Sequence, residues 1–199
     1  MKKSLIVAGI LLAGSTLVAD NGYYVGMNYS SMTYETGVTN TTGTAQLDEK
    51  DNAFKFFAGY EISDNIALEA HIADFGEASL SGNAGDRFTY AGTRYQITAN
   101  NAKISIGFES VGIGAVLKHK INKYVVPYAK IGIHNGEIKL SASSTNGSGE
   151  LSKNSTELFY AAGVNFPITD KFSILTEYNA YKFEYGDIKG GSIGLQYKF

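Results

Sequence analysis

Gly191-Ser192-Ile193-Gly194-Leu195-Gln196-Tyr197-Lys198-Phe199 is the stretch whose reading decides the fold of this chain. Ile193, Leu195, Tyr197 and Phe199 recur at every second position, with Ser192, Gly194, Gln196 and Lys198 between them. A period of two is a β-strand with one apolar face and one small or polar face. In water, such a strand ending on a bare aromatic ring offers an open edge for aggregation. Closing a barrel inside a bilayer, the same strand has its backbone paired and its apolar face covered by lipid.

The start of the chain points the same way. Met1-Lys2-Lys3 is a short basic opening, Leu5 to Ala13 an apolar run broken only by Gly9, and Leu17-Val18-Ala19 precedes Asp20. This is the layout of a helical secretory signal peptide, with cleavage expected after Ala19. The apolar run is too short to cross ~30 Å of hydrocarbon as an anchor. The expected division is therefore a signal peptide at 1–19 and a barrel domain at 20–199.

Composition excludes several classes. Without Lys2 and Lys3 the exported chain has 15 basic and 19 acidic side chains, a net charge of −4, which speaks against a nucleic-acid partner. There is no Cys, so an exported protein must be stabilised without disulfides. Both prolines, Pro127 and Pro167, fall near expected strand ends, where a missing N–H is tolerated.

Eight alternating segments are expected to be strands: 22–34, 52–61, 66–75, 103–118, 124–139, 156–166, 172–183 and 189–199. Three linkers are short and open with isoleucine: Ile62-Ser63-Asp64-Asn65, Ile121-Asn122-Lys123 and Ile168-Thr169-Asp170-Lys171. Three are long and polar, 35–51, 76–102 and 140–155, and are expected to be mobile and solvated. The fourth, 184–188, is brief. Short turns on one side and longer loops on the other are the layout of an antiparallel up-and-down transmembrane β-barrel of eight strands. A strand of ~10 residues rises ~33 Å, and a ~40° tilt leaves the ~25 Å of a lipid-facing band.

Charge sets the orientation of the faces. A Lys on the lipid face near the bilayer centre costs ~2–4 kcal/mol. Lys55, Glu69, Lys130 and Glu177 are therefore expected to point into the lumen, with the apolar set facing lipid. A soluble sandwich would reverse this arrangement. Counting from the turns places Glu69, Lys130 and Glu177 in one internal layer of ion pairs and hydrogen bonds, with His71 nearby. The interior face is rich in glycine, which is expected to make room for these long charged side chains. Tyr23, Tyr34, Tyr124, Tyr197 and Phe199 are candidates for the interfacial aromatic girdles.

No catalytic, cofactor or metal site is expected. There is no Cys, and His71, His119 and His134 show no close pairing in sequence register. The acidic run Asp48-Glu49-Lys50-Asp51 is read as a solvated loop, and Gly112-Ile113-Gly114-Ala115 as small interior residues, since no third glycine and helix follow.

The run Ile66-Ala67-Leu68-Glu69-Ala70, Val126-Pro127-Tyr128-Ala129-Lys130-Ile131-Gly132, Thr176-Glu177-Tyr178 and the closing Leu195-Gln196-Tyr197-Lys198-Phe199 resemble the small OmpA/OmpX-type and opacity-protein-like outer-membrane β-barrels. The resemblance implies a packed interior and recognition of Ile193, Leu195, Tyr197 and Phe199 by the barrel-assembly machinery. It further implies outer-membrane lipid and lipopolysaccharide as surroundings, with extracellular partners meeting the loops. No His is followed two residues on by Ser, so a likeness to lipid A deacylases has no support. Function varies within such a fold. The reading favoured by the sequence is a non-enzymatic surface-interaction role, with a narrow pore or carrier for small solutes as the alternative.

Overall fold

The computed structural model describes residues 22–184 and 186–199; the expected signal peptide and its cleavage site lie outside them. In chain order the strands are β1 (Tyr23–Tyr34), β2 (Val38–Thr42), β3 (Gln46–Asp48), β4 (Lys50–Glu61), β5 (Ile66–Gly82), β6 (Arg87–Tyr90), β7 (Thr93–Gln96), β8 (Ala102–Lys118), β9 (Val126–Ser144), β10 (Gly147–Pro167), β11 (Phe172–Phe183) and β12 (Gly186–Lys198). β1, β4, β5, β8, β9, β10, β11 and β12 pair antiparallel with their neighbours, and β12 returns to β1, closing an eight-stranded barrel. Closure leaves the membrane-spanning wall without an edge, as a bilayer requires.

The faces divide as the charges dictate. On β8, Val111, Ile113 and Leu117 are exposed while Ser110 and Val116 are buried; on β9, Ile131 and Ile133 are exposed while Tyr128, Lys130 and His134 are buried. The outward apolar positions end at a polar border on the upper side, where Ser31 is paired with Asn52, Asp74 with Glu109, and Asn135 with Thr156.

The interior fills in two layers. The upper layer is aromatic and aliphatic: Met32, Tyr34, Phe75, Phe159, Tyr181, Phe183 and Ile188, with Phe108 against it. The lower layer contains Tyr24, Phe57, Val116, Tyr128 and Leu175 around the buried charges. Interior glycines serve these rings rather than the long charged side chains expected to need the room. A Cβ on Gly59 would lie 2.1 Å from the Tyr24 ring, one on Gly26 2.2 Å from Phe57, and one on Gly132 2.5 Å from Phe159. An aromatic ring laid flat on the wall needs a bare backbone beneath it.

The long linkers are not the mobile coils the sequence suggests. β5, β8, β9 and β10 have 17, 17, 19 and 21 residues, against 12 or 13 in β1, β4, β11 and β12. The excess of five to nine residues raises half the wall by roughly 17–30 Å on the side opposite the short turns. β3 pairs with the raised end of β5, while β2, β6 and β7 form a separate three-stranded sheet. Most of these segments lack an apolar alternation because neither face is buried in a core, yet their backbones still pair; the raised end of β5 is the exception, with Ala78 and Leu80 buried.

Two local devices explain how polar sequence is held there. Gly76 adopts φ +77° at the bulge between Asp74 and Glu77, with the Asp51 carboxylate so close that a Cβ would meet it at 2.4 Å. The β6–β7 hairpin turns on Ala91 (φ 48°) and Gly92 (φ 79°), the two positive values a tight hairpin needs. Ala-Gly lacks the usual Asn-Gly or Asp-Gly signature, so the turn is silent in sequence.

Candidate functional site

Glu177 on β11 is the hub of the lumen. Its Oε2 accepts from the Lys130 ammonium at 2.9 Å and the Tyr128 hydroxyl at 3.0 Å. Its Oε1 accepts from Lys55 and, at 3.2 Å, from the Asn28 amide. Lys130 also donates to Glu69 Oε1 at 2.7 Å, and the Tyr24 hydroxyl donates to Glu69 Oε2 at 3.3 Å. Lys55 reaches Asn179 Oδ1 at 2.9 Å. Two cations and two anions thus form a neutral chain Lys55–Glu177–Lys130–Glu69 joining β4, β11, β9 and β5 across the barrel. All four side chains are buried. A buried charge is tolerated only with such complete pairing.

The structure brings Lys55, Glu69, Lys130 and Glu177 together and places His71 one layer up, outside that network. There the Ser110 hydroxyl lies 3.4 Å from His71 Nε2 and 3.0 Å from His134 Nδ1, and His134 Nε2 lies 2.9 Å from the Lys182 carbonyl. The expectation that no two histidines stand in register therefore fails. His71 lies opposite Gly112, and Gly112 opposite His134, in consecutive ladders. Barrel register, invisible in the sequence, makes this pair. Phe159 meets the His71 ring edge-on at 4.7 Å, and Tyr181 meets the His134 ring edge-on at 5.2 Å. Sequence reasoning also missed Tyr24, Asn28, Tyr128, Asn179 and Ser192, the neutral partners of the charged chain. Their inward parity is the signal that reveals them once the charged residues fix which face is inside. Among the described residues no group of three or more His, Cys, Asp or Glu is placed to hold a metal.

Below the charged layer the lumen opens to the short-turn side as a cavity of about 600 Å³, lined by Glu69, Lys130, Lys118, Lys198 and Asp170 among others. At that rim Tyr23 packs on Tyr60 at 4.8 Å, and Tyr197 on Phe172 at 4.9 Å and Phe199 at 5.2 Å. Tyr124 is exposed there as well. Tyr34 does not belong with them. It is 2% exposed, stacks on Phe108 at 5.4 Å inside the barrel, and donates its hydroxyl to the Phe75 carbonyl. Its even spacing from Ser30 and Met32 puts it on the inward face of β1. Of the residues of the expected assembly signal, Ile193, Leu195 and Tyr197 lie on the outward face of β12, with Ile193 and Leu195 exposed, and Phe199, just past its end, donates its N–H to the Tyr23 carbonyl.

On the opposite side the raised wall carries the polar surface. Asp86 joins two loops there: its carboxylate accepts from the Thr44 hydroxyl at 2.6 Å, the Thr44 N–H at 3.1 Å and the Asn83 N–H at 2.8 Å. These donors, the Thr44 hydroxyl foremost, hold the Asp86 carboxyl below the usual carboxylate range. Arg87 and Arg94, the only two arginines in the chain, project from one face of β6–β7, since Arg87 is opposite Gln96 and Arg94 opposite Thr89. Phe88 and Tyr95 stack at 5.5 Å on the other face.

A closed eight-stranded cylinder with a lipid-facing apolar belt, a filled lumen and polar outer extensions defines an integral membrane barrel. The chain belongs to the family described as the outer membrane protein beta-barrel domain, whose model matches residues 4–199, and it resides in the outer membrane. No curated protein sequence matches it at a significant level. Among solved structures it is similar to Ail, the attachment invasion locus protein of Yersinia pestis, crystallised with the heparin analogue sucrose octasulfate (TM-score 0.57, 20% identity, 90% of this chain and 100% of that one). It is also similar to Neisserial surface protein A (TM-score 0.54, 15% identity, 90% and 98% covered). The N-terminal barrel of Pseudomonas aeruginosa OprF is a third (TM-score 0.51, 12% identity, 88% and 97% covered). At these identities the likeness is one of fold.

Proposed function

We propose that this protein is a surface-interaction barrel of adhesin-like character, which binds an extended polypeptide segment of an external partner along the raised end of β10. One observation carries this reading. Gly147–Ser152 pair with β9 from Gly147↔Ser144 to Ser152↔Lys139, whereas the β10–β11 ladder begins only at Phe159↔Tyr181. Among the described residues no strand flanks Gly147–Ser152 on the second side. These six residues contain no Pro, Lys or bulge, and Glu150 is their one charge, so few of the devices that usually blunt an open edge are present. Unpaired N–H and C=O groups in extended backbone fit another extended backbone, which adds as a further strand. The names of two solved counterparts, an attachment invasion locus protein and a surface protein, are in keeping with this role.

The test shortens the hairpin by joining Ile138 to Lys153, its ladder partner, through a two-residue turn. Binding to host cells or extracellular matrix should be lost while the barrel still shows heat-modifiable mobility in gels. Undiminished binding by a folded barrel contradicts the proposal.

The paired arginines favour a second reading, capture of a sulfated or phosphorylated glycan by the Arg87/Arg94 face. Neither arginine has a carboxylate within ion-pair distance among the described residues. Guanidinium groups suit sulfate and phosphate geometry. Arg87→Gln with Arg94→Gln should abolish retention on a heparin column; unchanged retention dismisses this reading.

The filled lumen weighs against the pore alternative. Planar-bilayer recordings of the purified barrel should show no conductance above background, and reproducible single-channel steps would restore the alternative.

A further inference from the structure

The three short turns, at the end that faces the periplasm in barrels of this kind, share one construction. In each, the opening isoleucine donates its N–H to the carbonyl four residues on: Ile62 to Ile66 at 2.9 Å, Ile121 to Val125 at 3.2 Å and Ile168 to Phe172 at 2.8 Å. The next N–H, from Ser63, Asn122 or Thr169, donates to the same carbonyl. Side chains take up the remaining donors. Asn122 Oδ1 accepts from the N–H of Tyr124 at 2.8 Å and of Val125 at 3.0 Å; Thr169 Oγ1 accepts from those of Lys171 at 3.2 Å and Phe172 at 3.0 Å. A turn that satisfies its own amides tolerates poorly hydrated surroundings.

The isoleucine side chains point away from the protein: Ile62 is 56% exposed, Ile121 63% and Ile168 63%. Ile62 and Ile168 lie two residues past the outward positions Tyr60 and Phe166, and Ile121 four past Leu117. By that even count all three continue the lipid-facing stripe beyond the last ladder pairs.

The β8–β9 turn differs from the others in charge. It carries Lys118, His119, Lys120 and Lys123, and no Asp or Glu occurs between Glu109 and Glu137. Lys118 is occupied by Glu61, which also holds Lys198. Lys120 and Lys123 have no carboxylate within ion-pair distance among the described residues; they stand exposed at the mouth of the lumen cavity, on a rim shared with Asp64 and Asp170 of the flanking turns. Lys123 sits 4.8 Å from the ring centroid of Tyr124, itself 61% exposed. Exposed Tyr with Lys is the combination that settles at a membrane–water interface.

We propose that the β8–β9 turn is a docking site for the headgroup of an anionic phospholipid in the periplasmic leaflet. Ile121 and Tyr124 enter the boundary between acyl chains and headgroups, and Lys120 and Lys123 hold the headgroup phosphate. Lipid is the occupant because the surface is continuous with the lipid-facing belt, and the charge calls for an anion.

The chain has no Trp, so Ile62→Trp, Ile121→Trp and Ile168→Trp each introduce a single emitter. The mature protein is placed in nanodiscs of phosphatidylcholine with a minority of phosphatidylglycerol, the bromine label being on one lipid or the other at equal density. All three variants should emit as in apolar surroundings and resist acrylamide. Only Trp at position 121 should be quenched more by brominated phosphatidylglycerol, by about twofold or more, since each Lys near the surface favours an anionic lipid several-fold. Adding Lys120→Gln and Lys123→Gln should remove that excess. Soluble glycerol phosphate should not compete. Water-like emission at position 121, equal quenching by both lipids, or competition by glycerol phosphate would each overturn the proposal. Heat-modifiable mobility checks that every variant is folded, and should the lysine variants fail that check, the bromine comparison in Ile121→Trp alone still decides.

Discussion

Glu177 shows what a single residue has to do in this fold. It is buried against two ammonium groups, so neutralising it leaves Lys55 without its carboxylate and Lys130 with Glu69 alone. Glu177→Gln should destabilise the barrel by about 3 kcal/mol or more, the cost of breaking a buried pair from one side. Lys130→Met combined with Glu69→Gln should depart from additivity by about 1 kcal/mol or more; urea unfolding of the refolded barrel measures both, and simple addition would mean the pair is not coupled. Asp86 acts at the surface. Its folded carboxyl titrates below its unfolded value, so its contribution is present above the ordinary aspartate range and is lost as pH falls through the lowered one. Protection of the Thr44 and Asn83 amides, taken relative to the intrinsic exchange rate at each pH, should therefore fall at acid pH in the native protein, and at neutral pH in Asp86→Ala. Protection that follows neither change contradicts the role given to Asp86. The four charged lumen residues were legible from sequence because a charge facing lipid is prohibitively costly. Their neutral partners were not, because barrel stagger rather than sequence spacing decides which inward side chains meet. His71 and His134 meet around Ser110 for the same reason.

At the scale of elements, legibility follows burial. The membrane-spanning parts of all eight strands could be read because one face is apolar throughout. The raised ends of β9 and β10 could not: runs such as Ser141-Ala142-Ser143-Ser144 have no apolar face, and their pairing rests on backbone bonds that any side chain permits. The bulge at Gly76 also shifts parity by one, hiding the continuity of β5. β12 was the plainest element, and we propose that its lipid face serves as the assembly signal. Removing Phe199 deletes the bond to the Tyr23 carbonyl and the edge contact with Tyr197. The truncated chain should accumulate unfolded in the periplasm and show several-fold less heat-modifiable barrel in outer-membrane fractions. Undiminished insertion would remove Phe199 from that signal.

For the whole molecule, the same alternation would build either a soluble sandwich or a membrane barrel; only the direction of the faces differs. Here the ladder closes on itself, ion pairs occupy the axis, and the aliphatic side chains look outward from every spanning strand. The chain has no Cys, so single cysteines can carry nitroxide labels without background. Labels at Ile113, Ile131, Tyr160 and Ile193 sample the outer face, and labels at Ala161 and Ser192 the lumen. In outer-membrane lipid the first group should collide readily with dissolved oxygen and hardly at all with a water-soluble relaxation agent, while the second should be shielded from oxygen. If the outward positions instead prove water-accessible, or the two groups cannot be told apart, the aliphatic belt does not face lipid and the account is wrong.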